Sequence, residues 1–251
     1  MLVKRSEDRL RLCVEGLSQH VHVGACDWLQ TELVMAKALV EFVGTFFLVF
    51  TIGMCVIDPG SAGVLTPVAI GAVLMTMIYA GGHVSGAHYN PAVSLALALR
   101  GVLRAKELMI YFVAQLGAAA SAAFVVMYLK TGAKTEPMAI QIVPAMLAEF
   151  VFTFALVYVI LHVATAKALR GNQFFGVAIG FVVLAGILAV GPISGALFNP
   201  AVALAAGMLR LIAWSDLWVH LIGQVGGSVA AVAVFHTIIT LADRKTDGAS
   251  A

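Results

Sequence analysis

From residue 33 to residue 241 the chain is a succession of long apolar runs separated by short polar joints. A helix rises 1.5 Å per residue, and about 20 residues cross the hydrocarbon core of a bilayer. The runs therefore predict full spans at about 33–57, 65–82, 107–129, 142–164, 174–191 and 216–241. Two stretches, Pro59–Leu99 and Gly171–Leu209, contain no Asp, Glu, Lys or Arg. Each holds one full crossing with a second, shorter apolar segment after its Asn-Pro-Ala. After its full span, each leaves an apolar helix of about ten residues, roughly 15 Å or half a bilayer. The pattern predicts an all-α membrane protein with six transmembrane helices and two re-entrant half-helices.

The same pattern is written twice. SGAHYNPAV at 85–93 returns as SGALFNPAV at 194–202, with Asn90 and Asn199 109 positions apart. Glu41-Phe-Val-Gly-Thr-Phe-Phe-Leu-Val-Phe50 returns at Glu149–Tyr158, and Tyr111–Gly117 returns at His220–Gly226. Each half then carries three spans and one half-helix. Three is odd, so the second half inserts upside down relative to the first, an inverted repeat with its pseudo-two-fold axis in the membrane plane. The expected organisation is a tail at 1–31, a channel domain at 32–241 with repeats at about 33–129 and 142–241, and a tail at 242–251.

An inverted repeat explains why the motif is doubled. Asn before Pro starts a helix, with Asn as cap and Pro in the first turn. Two half-helices entering from opposite faces bring these starts together near the bilayer centre. Irregular backbone survives at that depth only where protein buries it or a water-filled cavity wets it. The residues before each Asn are therefore expected to line a pore, with the carbonyls of Gly86, Ala87 and His88 and of Gly195, Ala196 and Leu197 as acceptors. Asn90 and Asn199 can cap their own helices (Pro91-Ala92 and Pro200-Ala201) through the side-chain oxygen and donate from the amide to a passing solute. Each helix start adds roughly half a positive charge. That field repels cations and turns a central water so that it interrupts a proton-conducting chain.

Composition and charge narrow the reading. Of 251 residues, 61% are hydrophobic and 11% charged, against roughly 25% charged in soluble domains. A net charge of +2 does not suggest a nucleic-acid partner. Twelve of the 15 basic residues fall on the side of the joints that also receives both termini, with only Lys130, Lys134 and Arg210 on the other. The positive-inside tendency then makes both termini cytoplasmic, and the N-terminal stretch lacks the pattern of a cleavable signal. Cys13, Cys26 and Cys55 have no metal-type spacing. Likewise His83, His162, His220 and His236 lack partners at ligand spacing, and none of them is assigned a role. No nucleophile with a base appears among the spans, so the chain does not read as an enzyme. A passive channel leads. An inverted-repeat secondary transporter is the alternative, since intramembrane carboxylates such as Glu41 and Glu149 can couple ions.

The paired NPA boxes and the repeat around them resemble the aquaporin or major intrinsic protein family over essentially residues 33–241. The resemblance implies a right-handed six-helix channel, homotetrameric in the lipid bilayer, with a pore for water and small neutral solutes in each subunit and no cofactor. It implies that Glu41 and Glu149 hold the pore-loop backbones by hydrogen bonds. His88 matches the family's histidine two residues before the first Asn. By family spacing the outer selectivity ring falls on Ile70, Ile187, Ala196 and Val202. Here the chain departs from the family, because no arginine is present. Ile187, Ala196 and Val202 resemble some plant vacuolar members, although Ile70 replaces their histidine. Such a ring implies a wider mouth open to ammonia, hydrogen peroxide, urea or glycerol. Ala203 stands where glycerol facilitators carry Asp, which argues against a dedicated glycerol channel.

Overall fold

The computed structural model describes residues 23–248, with side chains from residue 30 to residue 241. Residues 1–22 and 249–251 of the two expected tails lie outside the described residues, as do the side chains of Cys26, Arg244 and Lys245. Among the described residues all regular structure is helical: α1 (Val23–Val56), α2 (Thr66–Ser85), α3 (Pro91–Leu99), α4 (Ala105–Leu129), α5 (Ile142–Ile160), α6 (Phe175–Ser194), α7 (Pro200–Met208) and α8 (Leu217–Gly248). Six of these helices are long and apolar enough to cross a membrane, α5 doing so together with the turn Leu161–Thr165 that continues it.

The helices outrun the apolar pattern at both ends of the chain. Residues 25–43 contain neither Gly nor Pro, so α1 starts at Val23, well before its apolar run begins. Likewise α8 continues to Gly248. Apolar composition marks the thickness of the bilayer, whereas only a breaker or a cap ends a helix.

The two halves pack alike. Helix α1 lies against α4 and α2, as α5 lies against α8 and α6, and α2 and α6 meet at the centre. The half-helices α3 and α7 are both wedged against α4 and α8. Close approach explains two of the glycines. A Cβ on Gly223 of α8 would sit 2.6 Å from the carbonyl oxygen of Met146 on α5, so this crossing is backbone against backbone. Gly81 of α2, together with Gly44 of α1, makes the slot that receives the ring of Tyr89, whose hydroxyl donates to the Met77 carbonyl at 2.8 Å.

Candidate functional site

Between α2 and α3, and again between α6 and α7, the chain adopts the same unusual loop. Gly86 has φ of 90° and Gly195 of 83°, followed by Ala87 at 53° and Ala196 at 54°, then Tyr89 and Phe198, both at 50°. Left-handed non-glycine residues cost of order 1 kcal/mol or more each and persist only where their surroundings impose them. Here a buried glutamate imposes them. Glu41 Oε1 accepts from Ser85 Oγ at 2.7 Å and from the His88 N–H at 2.9 Å, and its Oε2 accepts from the Tyr89 N–H at 2.7 Å and from Gln115 Nε2 at 2.8 Å. The second half repeats this bond for bond. Glu149 Oε1 accepts from Ser194 Oγ (2.7 Å) and the Leu197 N–H (2.9 Å), and its Oε2 from the Phe198 N–H (2.7 Å) and Gln224 Nε2 (2.8 Å). Both glutamates are fully buried.

This arrangement decides where the carbonyls point. In a trans peptide the N–H and C=O project in opposite directions. The N–H groups of Ala87, His88 and Tyr89 turn toward Ser85 Oγ and Glu41. The carbonyls of Gly86, Ala87 and His88, which share those peptide planes, therefore turn away from the glutamate. The same argument turns the carbonyls of Gly195, Ala196 and Leu197 away from Glu149.

The two asparagines tie the halves together. Asn90 Oδ1 accepts from the Ala92 N–H at 2.8 Å and caps α3, while its Nδ2 donates across to the Phe198 carbonyl at 2.9 Å. Asn199 Oδ1 accepts from the Ala201 N–H at 2.9 Å, and its Nδ2 donates to the Tyr89 carbonyl at 2.9 Å. An amide has two N–H groups. One of each pair is spent on this cross-brace, which leaves one N–H of each amide outside it.

A cavity of about 130 Å³ runs beside the loops, where one water needs roughly 10–15 Å³. On α6 its wall extends from Phe175 to Ile187 and on α2 from Thr66 to Ile78, in each case roughly 18 Å of helix. Gly86, Ala87, His88, Asn90, Gly195, Ala196, Leu197 and Asn199 all line it, and so do Ile70, Ile187 and Val202. Pro91, Ala92, Pro200 and Ala201 are not in the wall; they form the first turns of α3 and α7 behind it. Cys55 does not line it, although its neighbour Val56 does. Glu41 and Glu149 stand behind the loops, outside the wall. Apart from the asparagines, His88, Thr66 and Tyr89 are the side chains in the wall with polar groups; Thr66 Oγ1 donates to the carbonyls of Cys55 and Gly63, and the Tyr89 hydroxyl to that of Met77. Among the described residues no group of three or more His, Cys, Asp or Glu is placed to hold a metal.

Several residues that the sequence does not single out for a role support the site. Ser85 and Ser194, Gln115 and Gln224, and Tyr111 and His220 complete the loop supports, and each pair is separated by 109 positions. Tyr89 and Phe198 also reach the cavity wall. The first half alone carries an additional latch: Ser94 Oγ accepts from Gln115 Nε2 at 2.9 Å and lies 3.0 Å from His88 Nδ1.

The profile of the major intrinsic protein family matches residues 28–235. The chain belongs to the major intrinsic protein family. It is 38% identical over 234 residues to "Aquaporin NIP1-4" of Oryza sativa subsp. japonica, covering 90% of this chain and 84% of that protein. It is 31% identical over 214 residues to "Nodulin-26" of Glycine max, covering 81% and 78%. The fold is also that of the aquaglyceroporin from Plasmodium falciparum seen by X-ray crystallography, with a TM-score of 0.71, 24% identity, and coverage of 84% of this chain and 99% of that one. This major intrinsic protein is a multi-pass membrane protein and a passive channel for water and small neutral solutes, not an enzyme. The NIP relatives are not of the vacuolar type. The likeness of Ile187, Ala196 and Val202 to vacuolar members is thus a matter of three side chains and says nothing of lineage.

Proposed function

We propose that this major intrinsic protein conducts water, and with it ammonia, hydrogen peroxide, urea or glycerol, while excluding protons and ions at the paired NPA boxes. The observation that carries this reading is the meeting of the two half-helix starts. Asn90 and Asn199 each retain one N–H toward the cavity, and two lines of carbonyls lead to them. A permeating water or hydroxyl-bearing solute then finds acceptors along the loops and donors only at the centre. With the positive ends of α3 and α7 at that point, a water donates outward in both directions, and a proton has no path through it.

The ring Ile70, Ile187, Ala196 and Val202 has no charged side chain and no side-chain donor. It filters by size more than by polarity, which supports small neutral solutes beside water. The subunits assemble as a homotetramer in the bilayer, with a pore in each and both termini cytoplasmic, and no cofactor takes part. Glu41 and Glu149 support a channel over a coupled transporter, because each carboxylate already accepts from four donors and has no site left for an ion. Glycerol uptake into vesicles containing the purified protein is expected to follow the glycerol gradient alone. An uptake rate that changes severalfold with an imposed proton or sodium gradient would identify a transporter instead.

A further inference from the structure

The two pore loops are held alike but are not lined alike. Leu197 stands where the first half has His88, and Ala203 where it has Ser94, each 109 positions on. The second loop nevertheless makes the same four bonds to Glu149 that the first makes to Glu41, at the same distances. It also has the same run of left-handed residues. His88 and Ser94 are therefore not what shapes the first loop.

What they shape is the wall of the cavity. Gln115 Nε2 spends its two N–H groups on Glu41 Oε2 at 2.8 Å and on Ser94 Oγ at 2.9 Å. Ser94 Oγ thus receives a hydrogen from Gln115, and among the described residues its own hydrogen has one acceptor within reach, His88 Nδ1 at 3.0 Å. A ring nitrogen that accepts carries no hydrogen, so the neutral imidazole keeps its single N–H at Nε2. Tyr111 steadies the ring, edge to face with centroids 5.0 Å apart. His88 is 7% exposed and lines the cavity, and its Nε2 has no hydrogen-bond partner among the described residues. Nor is Nε2 among the fully enclosed polar atoms. A Cβ on Gly86 would sit 3.0 Å from Nε2, which places this nitrogen over the start of the loop, four residues before Asn90.

We propose that His88 Nε2–H is a solute-binding donor in the channel wall, taking the oxygen of a small neutral solute, and that Ser94 is the positioning residue that fixes its hydrogen. The ligand class follows from the donor: the carbonyl of urea or a hydroxyl of glycerol can accept from it, and a cation cannot. The backbone carbonyls of Gly86, Ala87 and His88 take the hydrogens of a solute, and this one ring gives the same stretch a partner for its oxygen. Water needs it least, because neighbouring waters in a file donate to one another. A larger solute displaces those neighbours and has to find its donor in the wall. His88 therefore favours urea and glycerol relative to water, at the first loop rather than at the ring of Ile70, Ile187, Ala196 and Val202.

This inference rests on the channel reading, and its test separates the two. The paired variant His88→Leu/Ser94→Ala gives the first half the residues that the second half carries as Leu197 and Ala203. In vesicles at about pH 8, above the ordinary histidine value, it is expected to keep water permeability within about twofold of the wild type. Its urea and glycerol uptake should fall about two- to tenfold, the weight of one hydrogen bond, with the thermal midpoint in detergent unchanged. Ser94→Ala alone should lower the same uptake, and Ser94→Thr, which keeps the hydroxyl, should not. Ring-15N spectra of the wild type, with the signal missing from the paired variant taken as His88, should show the hydrogen on Nε2, and those of Ser94→Ala a mixture of both nitrogens. A solute-to-water ratio that the paired variant leaves unchanged overturns the proposal. So does a wild-type spectrum with the hydrogen on Nδ1. Should the paired variant fail to fold, the ratio in Ser94→Ala against that in Ser94→Thr decides the same question. Wild-type vesicles that swell no faster than empty ones would sink the channel reading, and the nitrogen spectra would still decide where His88 keeps its hydrogen.

Discussion

Glu149→Leu is expected to leave little protein that purifies as a folded, monodisperse species, and to remove its water permeability. The variant keeps the size and the apolar setting of the side chain but takes away the acceptor for Ser194 Oγ, the Leu197 and Phe198 N–H groups and Gln224 Nε2. Each donor left unpaired in a buried site costs about 1–3 kcal/mol. Four of them cost roughly 4–12 kcal/mol, the same order as the net stability of a whole domain. The left-handed residues Ala196 and Phe198 would also lose the bonds that impose their conformation. Glu149→Gln keeps one acceptor oxygen and is expected to fall between wild type and Leu. Thermal unfolding in detergent, read beside vesicle swelling, checks both variants. A Leu variant with the wild-type midpoint and wild-type permeability would show that Glu149 does not hold the loop.

Val202→Arg is expected to change selectivity more than it changes water flow. Val202 is buried, 4% exposed, and lines the cavity with Ile70, Ile187 and Ala196. An arginine there adds bulk, five N–H donors and a fixed charge to a ring whose side chains have no donor and no charge. Water is small and gains donors that replace its lost hydration. Glycerol and urea meet a narrower mouth. Their uptake should fall about tenfold or more, with water flux reduced by less than about threefold, because pore diameter and lining donors together set what passes. The informative quantity is the ratio of the two permeabilities in one vesicle preparation. An equal fall in both would mean that Val202 does not border the narrow part of the path.

Much of the fold was legible because the bilayer imposes lengths. The charge-free stretches Pro59–Leu99 and Gly171–Leu209 each hold one and a half crossings, and α2 with α3 and α6 with α7 divide them so. The ends of α1 and α8 were not legible, since apolar composition stops at the membrane surface and these helices do not. At the site, the asparagines announced themselves through their prolines and their repetition. The supports behind them did not, because Ser85 reaches Glu41 across 44 positions, and Gln115 does so across 74. One signal was available. A polar residue inside an apolar span that returns 109 positions later, as Ser85 does at Ser194 and Gln115 at Gln224, is expensive twice over unless a partner receives it. His220 escaped for a related reason: its counterpart is Tyr111, and the repeat preserves a donor there rather than a residue type.

A file of water that carries no protons past the paired asparagines separates two permeabilities. The measurement that meets it most directly is osmotic water permeability and proton permeability taken on the same vesicles, with and without the purified protein. Water efflux is expected to rise well above that of empty vesicles and to depend weakly on temperature, while the decay of an imposed pH gradient stays at the rate of the empty vesicles. Water efflux no faster than through lipid alone, or a proton leak that rises together with the water flux, would mean that the paired asparagines do not pass water while stopping protons.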